Sequence, residues 1–351
     1  MTNYVDLPDS SIRNELDADT ELRLYAAMRN FWHPVMYAEE LGDDPEGVVL
    51  LGEELVLARM DGEVRCFRDL CCHRGAALSL GWNEGNQLRC LYHGWTYGVD
   101  GVCTSIPARF GTRIPTRARL QAFHTREATG LIWVCLAEQP LFDVPEFAEH
   151  DNPEFKVLRG PFYDWRTSAH RRLENFMDFA HFAYVHDGVL GSSDDPEVPE
   201  HDVWKATDSE LAFHRSVKEP IEGLTGYESD DPLIDVDYTY RLTMPISIHF
   251  DRHYLPGEAR YVLFLACSPV GPKHVRSFWF LARNYALDTD DQEFLDFERF
   301  VQEQDRPVVE SQRPEMLPYD LTAELHVRAA DKVSVAYRRW LVELTNELNP
   351  T

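Results

Sequence analysis

Short stretches of alternating apolar and polar residues, separated by glycine-containing turns, dominate the first part of the chain. Leu55 to Arg59 and Val64 to Arg68 flank Asp61-Gly62, a dipeptide that favours a tight β-hairpin turn. A second hairpin is predicted between Trp95 and Ile106, and the apolar run Leu131 to Ala137 has the length of a buried strand. The first half is therefore predicted to be all-β.

The periodicity changes beyond a proline-rich and acidic stretch at residues 141–156, which is typical of a linker. His170 to His186 and Asp288 to Gln304 have apolar residues at helical spacing, whereas residues 236–244, 261–268 and 274–284 have the pattern of antiparallel strands. The sequence thus predicts an α+β protein. Its expected parts are a helical lead-in (1–30), an all-β domain (31–140), the linker (141–156) and an α+β domain (157–351).

Composition and charge exclude several partners. Sixty acidic against thirty-four basic residues give a formal net charge of −26, which repels phosphate backbones and anionic lipids, so we expect neither nucleic acid nor a membrane as a partner. The N-terminal segment lacks the features of a secretory signal, and no apolar run approaches the ~20 residues of a membrane helix. Seven cysteines, an odd number, argue against a disulfide framework. We therefore expect a soluble, cytoplasmic protein.

Two predicted loops each offer one thiolate and one imidazole. Cys71 and His73 form a C-x-H pair, and Cys90 and His93 form a C-x-x-H pair after sixteen intervening residues. Two thiolates and two imidazoles suit a [2Fe–2S] cluster whose second iron is held by histidines, which raises its reduction potential. The predicted pairing is Cys71 with Cys90 on one iron, and His73 with His93 on the other.

A tetrahedral zinc site with two cysteines and two histidines is the alternative for the same residues. Glycines beside the ligands, Gly75 and Gly94, would let backbone N–H groups approach cluster sulfides, and the spacing matches no zinc finger. These features favour the cluster. The other five cysteines are expected to be small buried residues, although Cys72 adjoins a predicted ligand.

A second group of polar residues lies in the predicted helix around HRRLENFMDFAHFAYVH. Asp178 and His181 are three residues apart on one helical face, with Asn175 one turn earlier. His186 is five residues beyond His181 and can approach it only if the helix breaks between them, for which Asp187-Gly188 supplies a stop. Two histidines at such a break need one carboxylate to complete a ferrous 2-His-1-carboxylate site.

The stripe Phe294, Phe297 and Val301 predicts an apolar helical face, and Asp305 continues it four residues later. A carboxylate on such a face is costly to bury without a function, so Asp305 is the candidate third ligand. The competing interpretations are a solvated helix-end acid and two structural histidines. Glu298, Val301 and Gln302 share the face of Asp305 and are candidate pocket residues. We predict that Glu298 hydrogen-bonds a nitrogenous or cationic substrate; a solvated surface acid is the alternative.

The combination of C-x-H, C-x-x-H and, about eighty residues later, E-N-x-x-D-x-x-H-x4-H resembles the α subunits of Rieske non-haem iron oxygenases. The resemblance extends over nearly the whole chain, from FWHPV to QDRPVVESQRPEMLP, and is strongest to bacterial methylxanthine N-demethylases within the oxidative demethylase branch. It implies an N-terminal Rieske [2Fe–2S] domain, then a helix-grip (START-like) catalytic domain with a curved antiparallel sheet. At position 72 many relatives have proline or alanine in place of Cys72.

The resemblance implies that His181, His186 and Asp305 hold a mononuclear Fe(II). It further implies that Asp178 bridges His181 to His93 of a neighbouring subunit in a homotrimer, with Asn175 supporting this region. The expected reaction uses O2 and electrons from a separate NAD(P)H-dependent reductase, directly or through a ferredoxin.

An N- or O-methyl substrate would be demethylated with release of formaldehyde, whereas a ring or alkyl carbon would be hydroxylated. Two non-enzymatic alternatives are a Rieske electron carrier, which would hold two irons per chain and not three, and a helix-grip binding protein, which would lack a visible-absorbing cluster.

Overall fold

The structure, a computed structural model, describes residues 18–108, 113–198, 200–220, 226–327 and 330–348. The chain divides into two compact units: Met28–Glu146 with Ser268–Gly271, and Met1–Ala27 with Phe147–Cys267 and Pro272–Thr351. Of the predicted helical lead-in, residues 1–17 lie outside the described residues. The rest forms helix α1 (Ala18–Ala27) and a 3-10 turn (Met28–Asn30).

The unit around residues 28–146 is built from short antiparallel strands. These strands are β1 (His33–Tyr37), β2 (Glu46–Leu50), β3 (Glu53–Met60), β4 (Glu63–Arg68), β5 (Trp82–Asn83), β6 (Gln87–Arg89), β7 (Thr96–Gly98), β8 (Cys103–Ser105), β9 (Ala122–Ala128) and β10 (Leu131–Cys135). One sheet has the order β1-β10-β9-β4-β3-β2 and the other the order β5-β6-β7-β8.

Both predicted hairpins are present in this unit. Strands β3 and β4 pair through a turn in which Asp61 and Gly62 have positive φ angles of 53° and 81°. Two consecutive positive φ angles are what a type I′ turn requires, which explains the preference for glycine there. Strands β7 and β8 form the second hairpin. The hydrophobic core of the unit includes Cys71 and Cys90, so both predicted cluster thiols are anchored in it.

The second unit consists of one antiparallel sheet with helices. Its strands are β11 (Lys156–Arg159), β12 (Tyr163–Trp165), β13 (Asp202–Lys205), β14 (Glu210–Pro220), β15 (Leu233–Thr243), β16 (Ser247–Leu255), β17 (Ala259–Gly271) and β18 (His274–Arg283). Its order is β11-β18-β17-β16-β15-β14-β13, with β12 also paired to β18. The further helices are α2 (Ala169–Met177), α3 (Phe182–Val185), α4 (Asp291–Ser311) and α5 (Lys332–Leu348).

Alternating burial along the central strands gives the sheet one face of large side chains. On β15 and β16 every second residue is buried, as expected for side chains that alternate between the two faces. Register across β15, β16 and β17 aligns two rows on this face, Tyr238, Arg252 and Tyr261, and Tyr240, Phe250 and Leu263. These rows form one wall of the pocket described below.

Helix α4 supplies the opposite wall. Its first turn is stabilised by Asp290, whose carboxylate accepts a hydrogen bond from Gln292 N–H. The helix extends seven residues beyond the predicted end at Gln304, to Ser311. Its buried residues, Phe294, Glu298, Asp305 and Val309, follow a helical period. None of the helices formed by the described residues is long and apolar enough to cross a membrane.

Residues 141–155, most of the predicted linker, contain neither a helix nor a strand. This segment is nevertheless packed, because Phe147 and Glu149 are buried. The Glu149 carboxylate accepts hydrogen bonds from His249 Nε2 at 2.9 Å and from Arg260 Nη2 at 3.3 Å. The segment therefore has a defined position within the second unit.

Candidate metal centres and substrate pocket

The prediction of one continuous helix from His170 to His186 is wrong. Helix α2 ends at Met177, and Asp178 follows in an extended conformation (φ −81°, ψ 131°). Helix α3 then lies between His181 and His186, which flank it as caps. The helix thus breaks before His181 and not between the two histidines. Asp178 and His181 consequently do not share a helical face.

The break brings both imidazoles to the carboxylate of Asp305. His181 Nε2 lies 3.4 Å and His186 Nε2 lies 3.1 Å from Asp305 Oδ1. One ligand atom from each residue lies within 4.8 Å of the other two. Asp305 Oδ1 is buried and has no hydrogen bond of good geometry among the described residues. Two imidazoles and one carboxylate form the donor set of a ferrous facial triad, so these residues fit a mononuclear iron.

Each imidazole contacts an acceptor through its other nitrogen. His181 Nδ1 lies 3.2 Å from Asp178 Oδ2, and His186 Nδ1 lies 2.9 Å from Gln304 Oε1. An acceptor at Nδ1 keeps the proton there and leaves the Nε2 lone pair available for a metal. Sequence reasoning missed Gln304, whose only signal was its position beside a predicted ligand.

The electrostatics of this site favours a cation beside Asp305. Burial alone would raise the pKa of Asp305, but His181, His186 and the buried guanidinium of Arg172 hold it well below its usual range. Burial also opposes protonation of His181, yet its contacts with Asp178 and Asp305 raise its pKa to about 9. A site that stabilises positive charge on an imidazole next to a carboxylate also suits a divalent cation.

The three candidate ligands line a cavity of about 640 Å³, a volume that includes its opening to solvent. Aromatic and aliphatic side chains dominate its walls: Phe176, Phe182, Leu190, Tyr238, Tyr240, Phe250, Tyr261, Leu263, Phe297 and Val301. The remaining lining residues are polar, namely Asn175, Arg252 and Glu298. A mostly apolar cavity with a few polar groups is typical of a small-molecule site.

Glu298 is buried, with 6% of its surface exposed, so the alternative of a solvated surface acid is wrong. Its carboxylate accepts a hydrogen bond from the Tyr261 hydroxyl. Burial raises the pKa of Glu298 to about 7. Val301 lines the same cavity, whereas Gln302 faces a smaller neighbouring cavity that also contains Asp305. The burial of Asp305 likewise overturns its interpretation as a solvated helix-end acid.

Asn175 is held at the cavity wall by a buried arginine. Its Oδ1 accepts a hydrogen bond of 2.7 Å from Arg172 Nη1. The same guanidinium donates to the Tyr163 hydroxyl at 2.7 and 2.9 Å and lies 4.6 Å from the ring centre of Trp165. Sequence reasoning missed Arg172 and Tyr163, because neither belongs to a spacing pattern with the predicted ligands.

In the other unit, the two ligand loops have the same backbone pattern. Gly75 N–H donates to the Cys71 carbonyl at 2.9 Å, and Gly94 N–H donates to the Cys90 carbonyl at 3.0 Å. Both glycines have positive φ angles, 72° and 69°, which a residue with a side chain rarely adopts. Two equivalent turns therefore present one thiol and one imidazole each.

The side chains of these loops converge. The rings of His73 and His93 lie 4.6 Å apart, and His73 stacks on Trp95 at 4.5 Å. The Cys71 and Cys90 thiols are buried, whereas His93 is exposed. His73 Nδ1 is buried without a hydrogen-bond partner among the described residues, as expected of a nitrogen that ligates a metal. Two buried thiols opposite two outer imidazoles fit the asymmetric cluster predicted from the sequence.

Tyr97 is a further contact of the thiols that the sequence did not reveal. Its hydroxyl oxygen lies 3.0 Å from Cys71 Sγ and 3.4 Å from Cys72 Sγ. Cys72 itself is exposed, so the expectation that it is a small buried residue is wrong. The remaining predicted non-ligand cysteines, Cys66, Cys103, Cys135 and Cys267, are buried as expected.

Two family models match the chain, one for each of its halves. The model described as Rieske [2Fe-2S] domain matches residues 31–116. The model described as vanillate O-demethylase oxygenase C-terminal domain matches residues 165–347. The first contains the cluster loops, and the second contains His181, His186 and Asp305.

Characterised relatives match over most of the chain. The methylxanthine N3-demethylase NdmB of Pseudomonas putida is 38% identical over 91% of this chain and 90% of its own length. The methylxanthine N1-demethylase NdmA of the same organism is 36% identical over 90% of this chain and 89% of its own. The oxidoreductase NdmD of P. putida is 43% identical, but over only 32% of this chain and 19% of its own length.

The solved structure of NdmA with caffeine resembles the fold over nearly its full length. The superposition gives a TM-score of 0.84 at 33% sequence identity and covers 92% of this chain and 93% of NdmA. The likeness therefore extends to both units.

Proposed function

Because the chain belongs to the Rieske non-haem iron oxygenases, we propose that it removes an N-methyl group oxidatively from a small heterocyclic substrate. The family matches and the NdmA structure confirm the predicted family. They also confirm the N-terminal all-β Rieske domain and the sheet-containing catalytic domain. As a terminal oxygenase of this family the protein uses a [2Fe–2S] cluster and a mononuclear iron, so the zinc alternative is wrong.

The proposal assigns a ligand set to each cofactor. The cluster ligands are Cys71, Cys90, His73 and His93, and the mononuclear iron ligands are His181, His186 and Asp305. One observation carries the proposal above all others: donor atoms of two histidines and one aspartate meet within 4.8 Å at the wall of an aromatic-lined cavity. The bound ferrous iron supplies activation of O2 with electrons from the cluster.

The residues of the cavity bind and orient the substrate. Phe176, Tyr240 and Phe250 offer ring faces against which a flat heterocycle can stack, and they exclude water from the methyl group. We propose that Glu298, on the α4 wall, hydrogen-bonds a ring nitrogen of the substrate. Asp178 and Gln304 keep the protons of the two imidazoles on Nδ1.

The proposed reaction needs two electrons from outside the substrate, because the complete reduction of O2 takes four electrons and the N-methyl group supplies only two. Two electrons from the N-methyl group and two from a reductase, with two protons, reduce one O2. The products are the N–H compound, formaldehyde and water. We propose N-methylated heterocycles as the substrate class because NdmB and NdmA are both methylxanthine demethylases.

We propose that a separate NAD(P)H-dependent reductase, directly or through a ferredoxin, supplies these electrons. The strand pairs β3–β4 and β14–β15, one in each unit, are antiparallel, whereas a dinucleotide-binding βαβ unit needs parallel strands. The partial similarity to the oxidoreductase NdmD supports a dedicated partner. A cytoplasmic location, where such partners and reduced thiols are found, is part of the proposal and agrees with seven free cysteines.

We also propose a homotrimer in which Asp178 of one subunit meets His93 of the next. His93 is preceded by Leu91 and Tyr92, which are 58% and 62% exposed, and Tyr184 near the mononuclear site is 67% exposed. Exposed apolar side chains beside both sites support burial against a second copy. Light scattering should give about three times the 40.6 kDa chain mass. A monomer mass would contradict the assembly but not the reaction.

The reaction type is tested by reducing the holoenzyme anaerobically and exposing it to O2 with N-methyl, O-methyl and unmethylated aromatic compounds. We expect formaldehyde and the demethylated product from N-methyl heterocycles such as caffeine, and no hydroxylated ring product. Formaldehyde from the O-methyl compounds alone would move the substrate class to aryl ethers. Ring hydroxylation without formaldehyde would contradict demethylation.

A further inference from the structure

The segment that carries the cluster loops has a charge opposite to that of the rest of the chain. Residues 71–120 contain six arginines and two acidic residues, which gives the segment a formal net charge of +4. The other residues carry −30, because the whole chain has a net charge of −26. A local positive charge on an acidic protein attracts an anionic partner to one face, while the remaining surface repels it.

Three of these arginines are exposed and are not neutralised by a neighbouring carboxylate. Arg113, Arg117 and Arg119 are exposed and form no ion pair with another described residue. By contrast, Arg65 and Arg126, on the other sheet of the same unit, each lie within 3.1 Å of a carboxylate oxygen. The unbalanced positive charge is therefore concentrated in the segment that follows the cluster loops.

The hydrophobic core of the unit holds this basic segment beside the loops. Ala118 and Leu120 belong to the same core cluster as the two candidate cluster thiols. Arg117 and Arg119 alternate with these buried residues and are exposed. The Cys103 N–H donates a hydrogen bond of 2.9 Å to the Ala118 carbonyl, which attaches the segment to β8. The arginines thus lie on the outer side of the core that contains the thiols.

The basic segment differs in chemistry from the surface next to His93. Leu91 and Tyr92 are large, exposed apolar side chains, which support burial against a second subunit. Among the described residues from 103 to 120, none is a large exposed apolar side chain. Permanent interfaces are the more hydrophobic ones, whereas transient electron-transfer contacts are small and depend on charge. The basic segment therefore suits a partner that binds and then leaves.

We propose that Arg113, Arg117 and Arg119 form the docking face for the electron donor, a small carrier protein whose redox centre is surrounded by acidic residues. In each encounter one electron passes from the reduced carrier to the oxidised cluster, and no bond forms or breaks. This inference rests on the proposed separate electron donor and gives that donor its surface chemistry.

The first test uses two small oxidants of opposite charge, hexacyanoferrate(III) and hexaammineruthenium(III), each of which takes one electron from the reduced cluster. Stopped-flow absorption of the anaerobic holoenzyme gives their rate constants between about 0.1 M and 1 M salt, where the screening length falls from about 10 to about 3 Å and only nearby charges act. We expect added salt to slow the anionic oxidant and to accelerate the cationic one. A chain of net charge −26 without a local basic face would show the opposite dependence.

The double variant Arg113→Glu with Arg117→Glu reverses two charges of the docking face. Its rate constant with hexacyanoferrate(III) at about 0.1 M salt should fall at least about tenfold. Reduction of its cluster by a reduced, acidic plant-type [2Fe–2S] ferredoxin should fall by at least the same factor, because steering by opposite charge is lost. If this variant loses its cluster, Arg113→Gln with Arg117→Gln removes the same charges without reversing them and should give a smaller loss in the same direction.

The matched control is Arg65→Glu with Arg126→Glu, which changes the net charge equally but on the other sheet of the unit. It should keep both rate constants within about twofold of wild type. Equal losses in the two double variants would show that only net charge matters and would overturn the docking face. Light scattering of wild type and of the Arg113 and Arg117 variant completes the test: a smaller assembly in the variant alone would make this face a subunit interface and would also overturn the proposal.

A final measurement separates this inference from the proposed demethylation. The Arg113 and Arg117 variant, reduced chemically with dithionite and then exposed to O2 with caffeine, should form as much formaldehyde in a single turnover as the wild type. Its formaldehyde yield should be lost only when the acidic ferredoxin is the electron source. No formaldehyde from the chemically reduced wild type would contradict demethylation and leave the docking face intact. A wild-type salt dependence of the opposite sign would contradict the docking face alone.

Discussion

The two candidate metal sites are constructed in opposite ways. Each cluster loop supplies a thiol and an imidazole from within four residues, and the two loops repeat the same turn. The mononuclear site combines His181 and His186 with an aspartate more than a hundred residues later on helix α4. The first site therefore depends on local turns, whereas the second depends on how α4 packs over the sheet and the broken helix. Damage to one site should leave the other intact.

The largest expected effect is the loss of a cluster ligand. Cys90→Ala removes one thiolate of the cluster, and a cluster that lacks one of its four protein ligands is not held. We expect iron to fall from three to one per chain, with loss of visible absorption and of activity. Metal analysis and absorption spectroscopy measure both quantities.

Cys72→Ser is the matched control for this change, because Cys72 is the neighbouring but exposed thiol. It should retain three irons and the full spectrum. A Cys90→Ala protein with an unchanged spectrum would contradict the assignment of this ligand, and simultaneous loss of the third iron would contradict the independence of the two sites.

Removing the carboxylate of the mononuclear site should have the converse effect. Asp305→Ala leaves two imidazoles without the charge that balances a divalent cation, so we expect two irons per chain and an unchanged cluster spectrum. Product formation should fall by more than about 10³-fold, since O2 activation requires the metal. The control Glu303→Ala, two residues away on the same helix with a side chain 58% exposed, should keep three irons. Retention of the third iron in Asp305→Ala would exclude Asp305 as a ligand.

The sequence singled out the candidate cluster ligands and the three candidate mononuclear ligands, but not all of the residues that surround them. Chemically distinctive residues at short spacing identify the loops directly, and an acid on the apolar stripe of a helix identified Asp305. The break at Asp178 was not predictable, because apolar residues continue at helical spacing across it and only tertiary packing decides where α2 ends. Arg252 gave no signal either, because its burial depends on Glu219 from another strand.

A smaller effect is expected from the acceptor that orients His186. Gln304→Leu removes the oxygen that lies 2.9 Å from His186 Nδ1, so the imidazole loses its fixed tautomer and orientation. Loss of such an outer partner typically weakens metal affinity or activity by about 10–100-fold. Iron dissociation constants and formaldehyde rates measure this loss.

Gln304→Glu retains an acceptor oxygen at the same position and should recover most of the affinity that Gln304→Leu loses. Equal losses in both variants would show that the shape of the glutamine, and not its hydrogen bond, matters. The cluster spectrum should stay unchanged in both Gln304 variants, because the cluster site does not depend on the mononuclear site.

The smallest expected effect concerns stability and a single buried acid on the α4 wall. Burial raises the pKa of Glu298 from its ordinary 4.5 to about 7, so the folded chain binds this proton more tightly than the unfolded chain does. The contribution of Glu298 to stability is therefore present below about pH 4.5 and is lost as the pH rises to about 7. Above that pH the loss no longer grows.

Glu298→Gln carries no charge and should escape this loss while still accepting a hydrogen bond from Tyr261. Relative to wild type, the variant should gain about 3 kcal/mol in free energy of unfolding between pH 4.5 and pH 8. Urea unfolding of protein depleted of mononuclear iron measures this gain, with Glu303→Gln, at an exposed position of the same helix, as the control. A gain independent of pH would mean that Glu298 is ionised throughout, and that the α4 wall of the pocket carries a permanent negative charge opposite Arg252.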